Sequence, residues 1–428
     1  MKIRKQLALL LAGAVAVGSL TGCGSSSTST SEKSDGKSGG TITVLTHRTD
    51  MDETFKKYKE EFESKHPGTT VNFEALNDYQ NTMNTRMGTE DYGDVLMLPA
   101  NITKNQYKDY YEPIGTREEL KGKYDFLDNA DVDGTVYGLA TGANANGFLY
   151  NEKVFKEAGI TKTPTTPEEF IADLKAIKEK TSAVPLYTNY KDDWALTNWS
   201  AAQLVNASGD VDYPNKMIYD KNVFAQGQPL YTSLKLLNDA VANKLVEEDP
   251  MTTDWETSKQ MVADGKIGVM ALGSWAVGQM KAKSKTPEDI KFMASPISHD
   301  GKQVMQIAPD YMMGVNVHSK NKEIAKEFVK YFVEKYPNDS DMVSSLVGAK
   351  LPDFLAGSGA TLVQQKMGTT QMATDLDKVQ KESLLNLNDS KWVKTVIEIG
   401  LGNGKQTFDE YMASLNKSWA TGVDSIGK

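Results

Sequence analysis

The sequence predicts an α/β protein of two lobes, and three observations favour that class. Apolar and β-branched runs alternate with stretches of helical periodicity, which is typical of a mostly parallel sheet covered by helices. A stretch rich in glycine and asparagine, residues 137–150, lies far from either terminus, and we interpret it as a strand that leads through a crossing between lobes into a second strand. With 428 residues, of which 39% are hydrophobic, the chain is long enough for two cores.

The N-terminus has the pattern of an export signal. A basic segment, residues 2–5, precedes an apolar run, residues 7–17, that is too short to span a bilayer. The motif Leu20-Thr-Gly-Cys23 follows at the position where such signals are cleaved, and it resembles the lipobox of bacterial lipoproteins. We therefore predict that residues 1–22 are a signal peptide and that Cys23 becomes the lipidated N-terminus. An ordinary signal peptide with an incidental cysteine is the alternative.

Residues 23–40 are predicted to be the lipidated cysteine followed by a flexible tether. They are mostly Ser, Thr, Gly and Lys, and such a segment buries too little apolar surface to offset the entropy lost on ordering. Cys23 is the only cysteine, so no disulfide can form within the chain. Beyond the tether no apolar run reaches the ~18 residues of a membrane span. The lipid is therefore the predicted membrane attachment.

The first part of the folded body alternates between strands and helices. A strand at residues 41–46 precedes a helix whose aromatic residues recur at helical spacing, and another strand is predicted at residues 94–98. Ligands of such sheets bind at the carboxyl ends of the strands, where Arg48, Asp50 and Asn101 follow. We expect these three side chains at one mouth. Asp50 is either a ligand contact or the N-cap of the following helix, alone or sharing that role with Asp52.

The second part continues the alternation. The motif Thr166-Pro-Glu-Glu169 predicts a capping box that opens a helix with proline at its first position. Strands are predicted at residues 184–187 and 265–272, and the latter ends in Gly273-Ser-Trp275. Residues 309–316 are interpreted as one return strand.

Composition and motifs argue against several classes of function. The formal net charge of -9 disfavours a nucleic-acid partner, which would favour a basic patch. The sequence contains no His-Glu-x-x-His pair, no nucleophile elbow and no Walker-type loop, and no cofactor is predicted. Residues 129–134 partly match a calcium loop, but Ala140 stands where a bidentate glutamate is needed, so we favour a tight turn at Asp133-Gly134 and predict no metal.

Several of these features together resemble one family. They are the lipobox and tether, the polar loop after the first strand, the crossing, Gly273-Ser-Trp275 and Pro309-Asp-Tyr311. In this combination the chain resembles the extracellular solute-binding proteins of family 1, the maltose-binding-like receptors of carbohydrate ABC transporters. The resemblance implies the type II periplasmic-binding-protein fold, in which two α/β lobes are joined by a hinge with several crossings.

The same resemblance implies that each lobe is discontinuous in sequence. Three crossings are expected near residues 138–144, 307–313 and 345–350. The resulting division assigns residues 41–140 and 313–345 to lobe 1, and residues 141–312 and 346–428 to lobe 2.

Aromatic residues beside acids are the predicted ligand platform. Trp194 lies in a polar loop next to Asp193; an indole can cover the C–H face of a sugar ring while a carboxylate accepts hydrogen bonds from its hydroxyls. Trp275 is placed in the cleft by its position and by the resemblance, and Asp310 and Tyr311 lie beside the second crossing. A structural role is the alternative for each. Tyr79 is a further candidate contact. The remaining tryptophans lie in helix-like surroundings and are predicted to be core: Trp199, Trp255, Trp392 and Trp419.

The resemblance implies a monomeric, membrane-tethered receptor on the extracytoplasmic face of the cell membrane. It would capture a sugar or short oligosaccharide and deliver it to the permease subunits of an ABC transporter. The long tether favours the outer surface of a single-membrane bacterium over a periplasm. Two alternatives remain open: a lipid-anchored glycan-degrading enzyme with paired carboxylates, and a surface protein that binds sugar for sensing or adhesion without a permease.

Overall fold

The computed structural model describes residues 39–99, 102–253 and 255–427, and for Asp193 the backbone alone. The predicted signal peptide, Cys23, nearly all of the tether and Asn101 therefore lie outside the described residues. None of the helices within the three described ranges combines the length and the apolar content that crossing a bilayer requires.

The described part of the chain is mixed α/β, as the sequence predicts. Its strands, in chain order, are β1 (Thr41–Thr46), β2 (Thr70–Ala75), β3 (Val95–Met97), β4 (Tyr111–Glu112), β5 (Gly115–Thr116), β6 (Asp131–Val132), β7 (Thr135–Val136), β8 (Leu139–Ala140), β9 (Ala143–Asn151), β10 (Val184–Leu186), β11 (Ile267–Gly273), β12 (Ile290–Met293), β13 (Val304–Pro309), β14 (Met312–Asn316) and β15 (Thr361–Gln364).

Helices cover the sheets and connect their strands. In chain order they are α1 (Asp52–Lys65), α2 (Tyr79–Arg86), α3 (Tyr107–Tyr110), α4 (Arg117–Leu120), α5 (Glu152–Ala158), α6 (Pro167–Lys180), α7 (Asp193–Leu196), α8 (Leu204–Ser208), α9 (Tyr213–Lys216), α10 (Pro229–Ala242), α11 (Trp255–Ala263), α12 (Trp275–Lys281), α13 (Lys322–Asp339), α14 (Asp353–Ala356), α15 (Thr370–Ser383), α16 (Lys391–Gly400) and α17 (Phe408–Ser425).

The first large sheet has the strand order β2-β1-β3-β14-β4, and β8 also pairs with β14. Strand β1 runs parallel to β2 and β3, whereas β14 runs antiparallel to β3, β4 and β8. Helices α1 and α13 pack on this sheet through aromatic side chains. The ring of Phe55 stacks on Phe73 at 4.6 Å, and Phe62 meets Phe328 edge to face at 5.0 Å. The helical spacing read from the sequence therefore marks the buried face of α1.

The second large sheet has the strand order β10-β11-β9-β13-β15, and β12 also pairs with β9. Strand β9 is its centre, antiparallel to β11 on one side and to β12 and β13 on the other. The predicted helix after Thr166 is α6: the Thr166 side chain accepts the backbone N–H of Glu169, and Pro167 stands at the first position. The Glu169 carboxylate bonds to Thr165 instead of Thr166, so the reciprocal half of the predicted capping box is shifted by one residue.

Two chain segments lie side by side where the sheets meet. The backbone N–H of Thr141 donates to the carbonyl of Tyr311 at 2.8 Å, and the N–H of Asp310 donates to the carbonyl of Gly142 at 2.9 Å. The predicted single return strand over residues 309–316 is in fact two strands, β13 and β14, which belong to different sheets and are separated by Asp310 and Tyr311. These two residues therefore link the sheets.

A third segment joins this hinge from the far end of the sequence. Ala143 and Val343 exchange both backbone hydrogen bonds, at 2.8 and 2.9 Å. Further along, Leu346 forms a bridge with Tyr124 beside the first sheet, and β15 then pairs with β13 of the second sheet. The chain thus passes between the sheets again after Leu346.

The glycines of the first crossing serve different purposes. Gly142 has a φ of 145°, and a Cβ there would lie 3.2 Å from the Met342 side chain. Gly147 lies inside β9, where a Cβ would approach the carbonyl oxygen of Met293 to 2.5 Å. Strand β9 begins at Ala143 and so takes up the C-terminal part of this glycine-rich stretch. Close packing of β9 on β12, not an unusual backbone angle, explains Gly147.

The calcium-loop alternative is resolved in favour of the turn. Asp133 and Gly134 have φ values of 51° and 84° and join β6 to β7 as a two-residue hairpin. Within the described residues no group of acidic, histidine or cysteine side chains is arranged to hold a metal ion.

Candidate ligand-binding site

A cavity of about 400 Å³ opens between the two sheets beside the hinge. The loop after β1 and the segment that follows α13 line it from the first sheet. The start of β9 and helix α12 line it from the second. Strands β1 and β11 both point their carboxyl ends toward it, as expected for ligand sites in α/β sheets. The lining residues that carry most of the polar and aromatic chemistry are Arg48, Asp50, Asn144, Trp275, Gln279, Asp310 and Asp341.

Arg48 and Asp50 form a paired unit at the end of β1. The Arg48 Nε and Nη2 atoms donate to the two Asp50 carboxylate oxygens at 2.7 and 2.9 Å, and its Nη1 donates to the Tyr336 hydroxyl at 2.9 Å. Hydrogen bonds from Arg48 lower the pKa of Asp50. Helix α1 has Met51 at its N-cap position without a side-chain cap, so the N-cap alternative for Asp50 is wrong. Asp50 instead orients the guanidinium.

Asp310 brings a carboxyl group to the base of the cavity. It lies in the link between β13 and β14, its side chain is exposed to the cavity, and the Asn144 amide donates to it at 3.3 Å. Burial raises the pKa of Asp310 to about 6, although the positive charge of Arg48 acts in the opposite direction. The carboxylate thus has capacity to accept hydrogen bonds from a ligand.

Asn144 presents an unsatisfied group beside Asp310. Its side-chain oxygen is buried and accepts no hydrogen bond from any residue that the structure describes. Leaving such an acceptor unpaired costs about 1–3 kcal/mol. A ligand hydroxyl or a bound water would relieve this cost.

The aromatic rings beneath the loop that follows β1 pack against one another. The His47 imidazole lies 4.6 Å from the Tyr311 ring, and burial lowers the pKa of His47 to about 4, with the charge of Arg48 adding to the effect. His47 is therefore neutral at physiological pH. Tyr79 is buried beneath them, and its hydroxyl donates to the carbonyl of Met97 at 2.7 Å. The Tyr311 hydroxyl accepts from Gln80 at 3.2 Å.

The motif Gly273-Ser-Trp275 holds an indole at the opposite wall. The Ser274 backbone and side chain bond to the carbonyl and the N–H of Ala145 at 2.8 and 2.9 Å, which ties the start of α12 to β9. A Cβ on Gly273 would lie 2.4 Å from the Trp275 Nε1 atom. The glycine is needed because the indole occupies that space. Trp275 lines the cavity, as the sequence predicts for its position.

Three indoles pack together on the second-sheet side. Trp194 lies 5.2 Å from Trp255 and 5.5 Å from Trp275, and Trp255 lies 5.5 Å from Trp275 between ring centroids. The prediction that Trp255 is core is wrong: it is half-buried, because the loop before α11 places it beside the two predicted platform residues. The other three tryptophans predicted as core, Trp199, Trp392 and Trp419, are buried.

Hydrogen bonds between loops fix this group of three indoles, which we call the tryptophan cluster. The backbone N–H of Trp255 donates to the Asp192 carboxylate at 3.0 Å, and the backbone N–H of Lys191 donates to the Thr253 hydroxyl at 3.1 Å. The loops before α7 and α11 are thus joined at the base of Trp194. A signal for Trp255 exists in the sequence, since an aspartate precedes both Trp194 and Trp255.

The structure brings four of the predicted site residues to one cavity: Arg48, Asp50, Trp275 and Asp310. Trp194 adjoins Trp275, with 42% of its surface exposed. Tyr79 and Tyr311 lie beneath His47, behind the lining. The Asp193 side chain and Asn101 lie outside the described residues. Sequence reasoning missed the other lining residues, among them the polar side chains of Asn144, Gln279 and Asp341.

Two large sheets are joined by adjacent, antiparallel hinge segments, and a polar and aromatic cavity lies between the sheets. This arrangement defines a binding protein that encloses its ligand between lobes. Residues 46–335, more than half of the chain, match the family described as bacterial extracellular solute-binding protein. The chain belongs to this family. It is a solute-binding protein and not an enzyme, which removes the glycan-degrading alternative.

Solved structures and curated relatives agree with this assignment. A manno-oligosaccharide specific solute-binding protein from Bifidobacterium animalis subsp. lactis, solved with mannotriose, is 34% identical with a TM-score of 0.82, covering 90% of this chain and 95% of that one. A second binding protein of an ABC transporter from the same subspecies, solved with mannobiose, is 35% identical with a TM-score of 0.82, covering 91% and 96%. The multiple sugar-binding protein of Streptococcus mutans is 26% identical, covering 68% of this chain and 70% of that one. The predicted family and periplasmic-binding-protein fold are confirmed.

Proposed function

We propose that the protein captures a sugar or short oligosaccharide in the cavity between its lobes. The observation that carries the proposal is the pairing of Trp275 on one wall with Arg48 and Asp310 on the other side of the same cavity. An indole face covers the C–H face of a sugar ring, while a guanidinium and a carboxylate donate to and accept from its hydroxyls. The orphaned oxygen of Asn144 adds an acceptor beside them.

Chains of mannose are the first ligands to consider. The two similar structures at 34% and 35% identity hold mannotriose and mannobiose, and both are covered almost completely by this chain. The tryptophan cluster extends the aromatic surface beyond Trp275, which favours a ligand of more than one ring.

The residues predicted from sequence take distinct proposed roles. Trp275 and Trp194 stack on sugar rings, and Asp310 accepts hydroxyl hydrogens. Asp50 orients the Arg48 guanidinium, which donates to the ligand. Four further residues predicted to contact the ligand, directly or through a neighbour, are Tyr79, Asn101, Asp193 and Tyr311.

Binding is coupled to closure of the two lobes. We assign residues 41–140 and 313–345 to lobe 1, and residues 141–312 and 346–428 to lobe 2; the two large sheets draw their strands from this division almost without exception. A ligand that touches both Trp275 of lobe 2 and Arg48 of lobe 1 binds the closed state more tightly. It therefore shifts the population toward closure.

Calorimetric titration tests the proposed ligand class. Purified mature protein is titrated with mannobiose, mannotriose, maltose and a neutral polyol of similar size. We expect saturable binding of at least one oligosaccharide and none of the polyol. Absence of binding to every oligosaccharide of a wider panel would contradict the proposal.

Delivery to a transporter and anchoring by lipid complete the proposed role. The closed form would present both lobes to the permease subunits of an ABC transporter, on the outer surface of a single-membrane bacterium. A Cys23→Ala variant should appear in the culture medium instead of the membrane fraction, and cells should lose uptake of the labelled sugar. Uptake that is unchanged when the binding protein is deleted would favour the sensing or adhesion role.

A further inference from the structure

A buried lysine lies behind the cavity wall without lining the cavity. Lys259, on α11, is 9% exposed, and its ammonium lies 5.1 Å from the centre of the Trp255 ring. The same ammonium contacts the Glu256 carboxylate at 2.6 Å and the Gln279 side-chain oxygen at 3.2 Å. Gln279 is on α12, one turn after Trp275, and lines the cavity. Lys259 thus touches the tryptophan cluster and the polar wall together.

The contact with Lys259 decides which way the Gln279 amide faces. An ammonium group carries only donors, so it can bond to the amide oxygen and never to the amide NH₂. The oxygen of Gln279 is therefore turned toward Lys259, and its two N–H donors are turned away. No described residue accepts a hydrogen bond from this NH₂ group. Its donors are available to an acceptor in the cavity.

The hydrogen-bond donors on the α12 wall of the cavity complement the acceptors at the base of the cavity, beside the hinge. Asp310 and the Asn144 oxygen offer acceptors at the hinge, whereas Gln279 offers donors along α12. A sugar hydroxyl can donate to one and accept from the other. A reversed Gln279 amide would place a further acceptor in a cavity that Asp310 and Asp341 already line, and would remove this complementarity.

We propose that Lys259 is a positioning residue that sets sugar affinity and specificity by fixing the Gln279 amide with its NH₂ donors toward the ligand and by holding Trp255 in the tryptophan cluster. The proposal rests on the proposed function of the cavity as a sugar site. It assigns Gln279 as a direct ligand contact and requires an acceptor oxygen on the ligand opposite α12.

A double-mutant cycle on the mature protein tests the coupling. Affinities for mannotriose, or for the tightest oligosaccharide of the panel, are measured for wild type, Lys259→Met, Gln279→Ala and the double variant. We expect each single change to weaken binding by about tenfold, as loss of one hydrogen bond does. The loss in the double variant should be clearly smaller than the sum of the two single losses, because the Lys259 substitution acts in part through the Gln279 amide that the other substitution removes. Additive losses would overturn the proposal.

Substitution of Gln279 by glutamate separates positioning from folding. Gln279→Glu strengthens the contact with Lys259 by adding an ion pair, but it replaces the two donors with an acceptor. We expect the melting temperature to stay at or above that of wild type while affinity falls at least about tenfold. Retained affinity in this variant would overturn the proposal even if Lys259→Met failed to fold.

Two controls complete the experiment. Lys259→Arg keeps a cation and should restore at least part of the affinity. Lys235→Met is the matched control, because Lys235 also pairs with an acid, Asp239, and lies 5.9 Å from an aromatic ring, Phe408, without lining the cavity. It should bind as wild type does. If wild type bound no sugar, the proposed function would fail first and this inference with it, whereas normal wild-type binding with unchanged Lys259→Met affinity would refute the inference alone.

Discussion

Trp275 owes its position to its two neighbours in sequence. Gly273 leaves the space that the indole fills, and Ser274 ties the start of α12 to β9 through its hydrogen bonds with Ala145. The Trp275 side chain is half-buried against the other two indoles of the tryptophan cluster and lines the cavity. An aromatic surface that is held rigidly in this way loses little entropy when it binds a ring.

Removing the cavity-lining indole of Trp275 or the adjoining indole of Trp194 should weaken sugar binding. We expect Trp275→Ala and Trp194→Ala each to cost about 2 kcal/mol or more, close to thirtyfold in affinity, as aromatic anchors do. Calorimetry with the cognate oligosaccharide measures the effect. Tyr231→Ala is the control, since Tyr231 packs on Phe408 at 5.3 Å and does not line the cavity. Unchanged affinity in both tryptophan variants would remove the proposed stacking surface.

Asp310 should make binding depend on pH. Because its pKa is raised to about 6, the carboxyl group loses its charge as pH falls through that value and becomes a weaker acceptor. We expect affinity to drop between pH 7.5 and pH 5 in wild type. An Asp310→Asn variant should bind weakly at both pH values, with a flat profile. A wild-type affinity that is constant over this range would contradict the role of Asp310.

At the residue scale the sequence predicted part of the site and missed part of it. Residues that directly follow strands, such as Arg48 and Trp275, could be placed because strand ends share one edge of a sheet. Asp341 and Gln279 could not, since nothing local marks a residue after α13 or inside α12 as cavity-lining. Their position depends on how the two sheets face each other, which no sequence spacing records.

A buried acid, Glu247, joins the starts of the two loops that lead to Trp194 and Trp255. The short segment before Glu247 pairs with β10, and the Glu247 carboxylate accepts from the Thr188 backbone N–H at 3.0 Å and from its hydroxyl at 2.5 Å. Burial raises the pKa of Glu247 to about 7, although the bonds from Thr188 act against the increase. Glu247 therefore links the roots of both loops.

Glu247 should make protein stability depend on pH with a definite sign. Its pKa is higher in the folded protein than the usual 4.5, so the stabilisation is complete below the unfolded pKa and is lost as pH rises through about 7. The loss amounts to about 3 kcal/mol at most. We expect Glu247→Gln to reduce the difference in unfolding free energy between pH 5 and pH 8, measured by urea denaturation. An equal difference in variant and wild type would contradict the shifted pKa.

A second element-scale prediction concerns the packing of β9 on β12. Gly147→Ala would place a Cβ 2.5 Å from the carbonyl oxygen of Met293. We expect this change to destabilise the protein by about 2 kcal/mol or more, because backbone atoms must move. Gly122→Ala is the control for adding a methyl group where it meets no other atom, since nothing lies within 4 Å of a Cβ there, although its φ of 85° adds some strain. A Gly147→Ala variant as stable as wild type would refute the close packing.

Secondary structure was predictable wherever periodicity was strong. The helix with Phe55 and Phe62 and the strand at Thr41–Thr46 follow from their patterns. Gly147 was a misleading signal of a crossing, because it has no unusual backbone angle and its neighbours continue β9. Glycine in a sequence does not distinguish a crossing from a close approach of two strands.

At the scale of the whole molecule, each large sheet combines strands from distant parts of the chain. The first sheet takes β14 from residues far beyond β3, and the second takes β15 from beyond β13. Alternating strands and helices predict the α/β class, but not these long-range pairings. The order of family features along the chain was needed to predict two discontinuous lobes.

Closure of the lobes should be visible in solution. If the ligand bridges Trp275 and Arg48, the radius of gyration from small-angle scattering should fall when the cognate oligosaccharide is added to protein that samples open states. A Trp275→Ala variant at the same sugar concentration should show a smaller change. Identical scattering with and without saturating sugar would mean that binding does not favour closure.

A crystal structure of the mature protein with its tightest oligosaccharide tests the location of the ligand most directly. We predict a sugar ring in van der Waals contact with Trp275, with hydroxyls hydrogen-bonded to Asp310 and Arg48 and an oxygen facing the NH₂ group of Gln279. A sugar bound elsewhere, for instance in the groove on the other side of the hinge lined by Gln306, would contradict it.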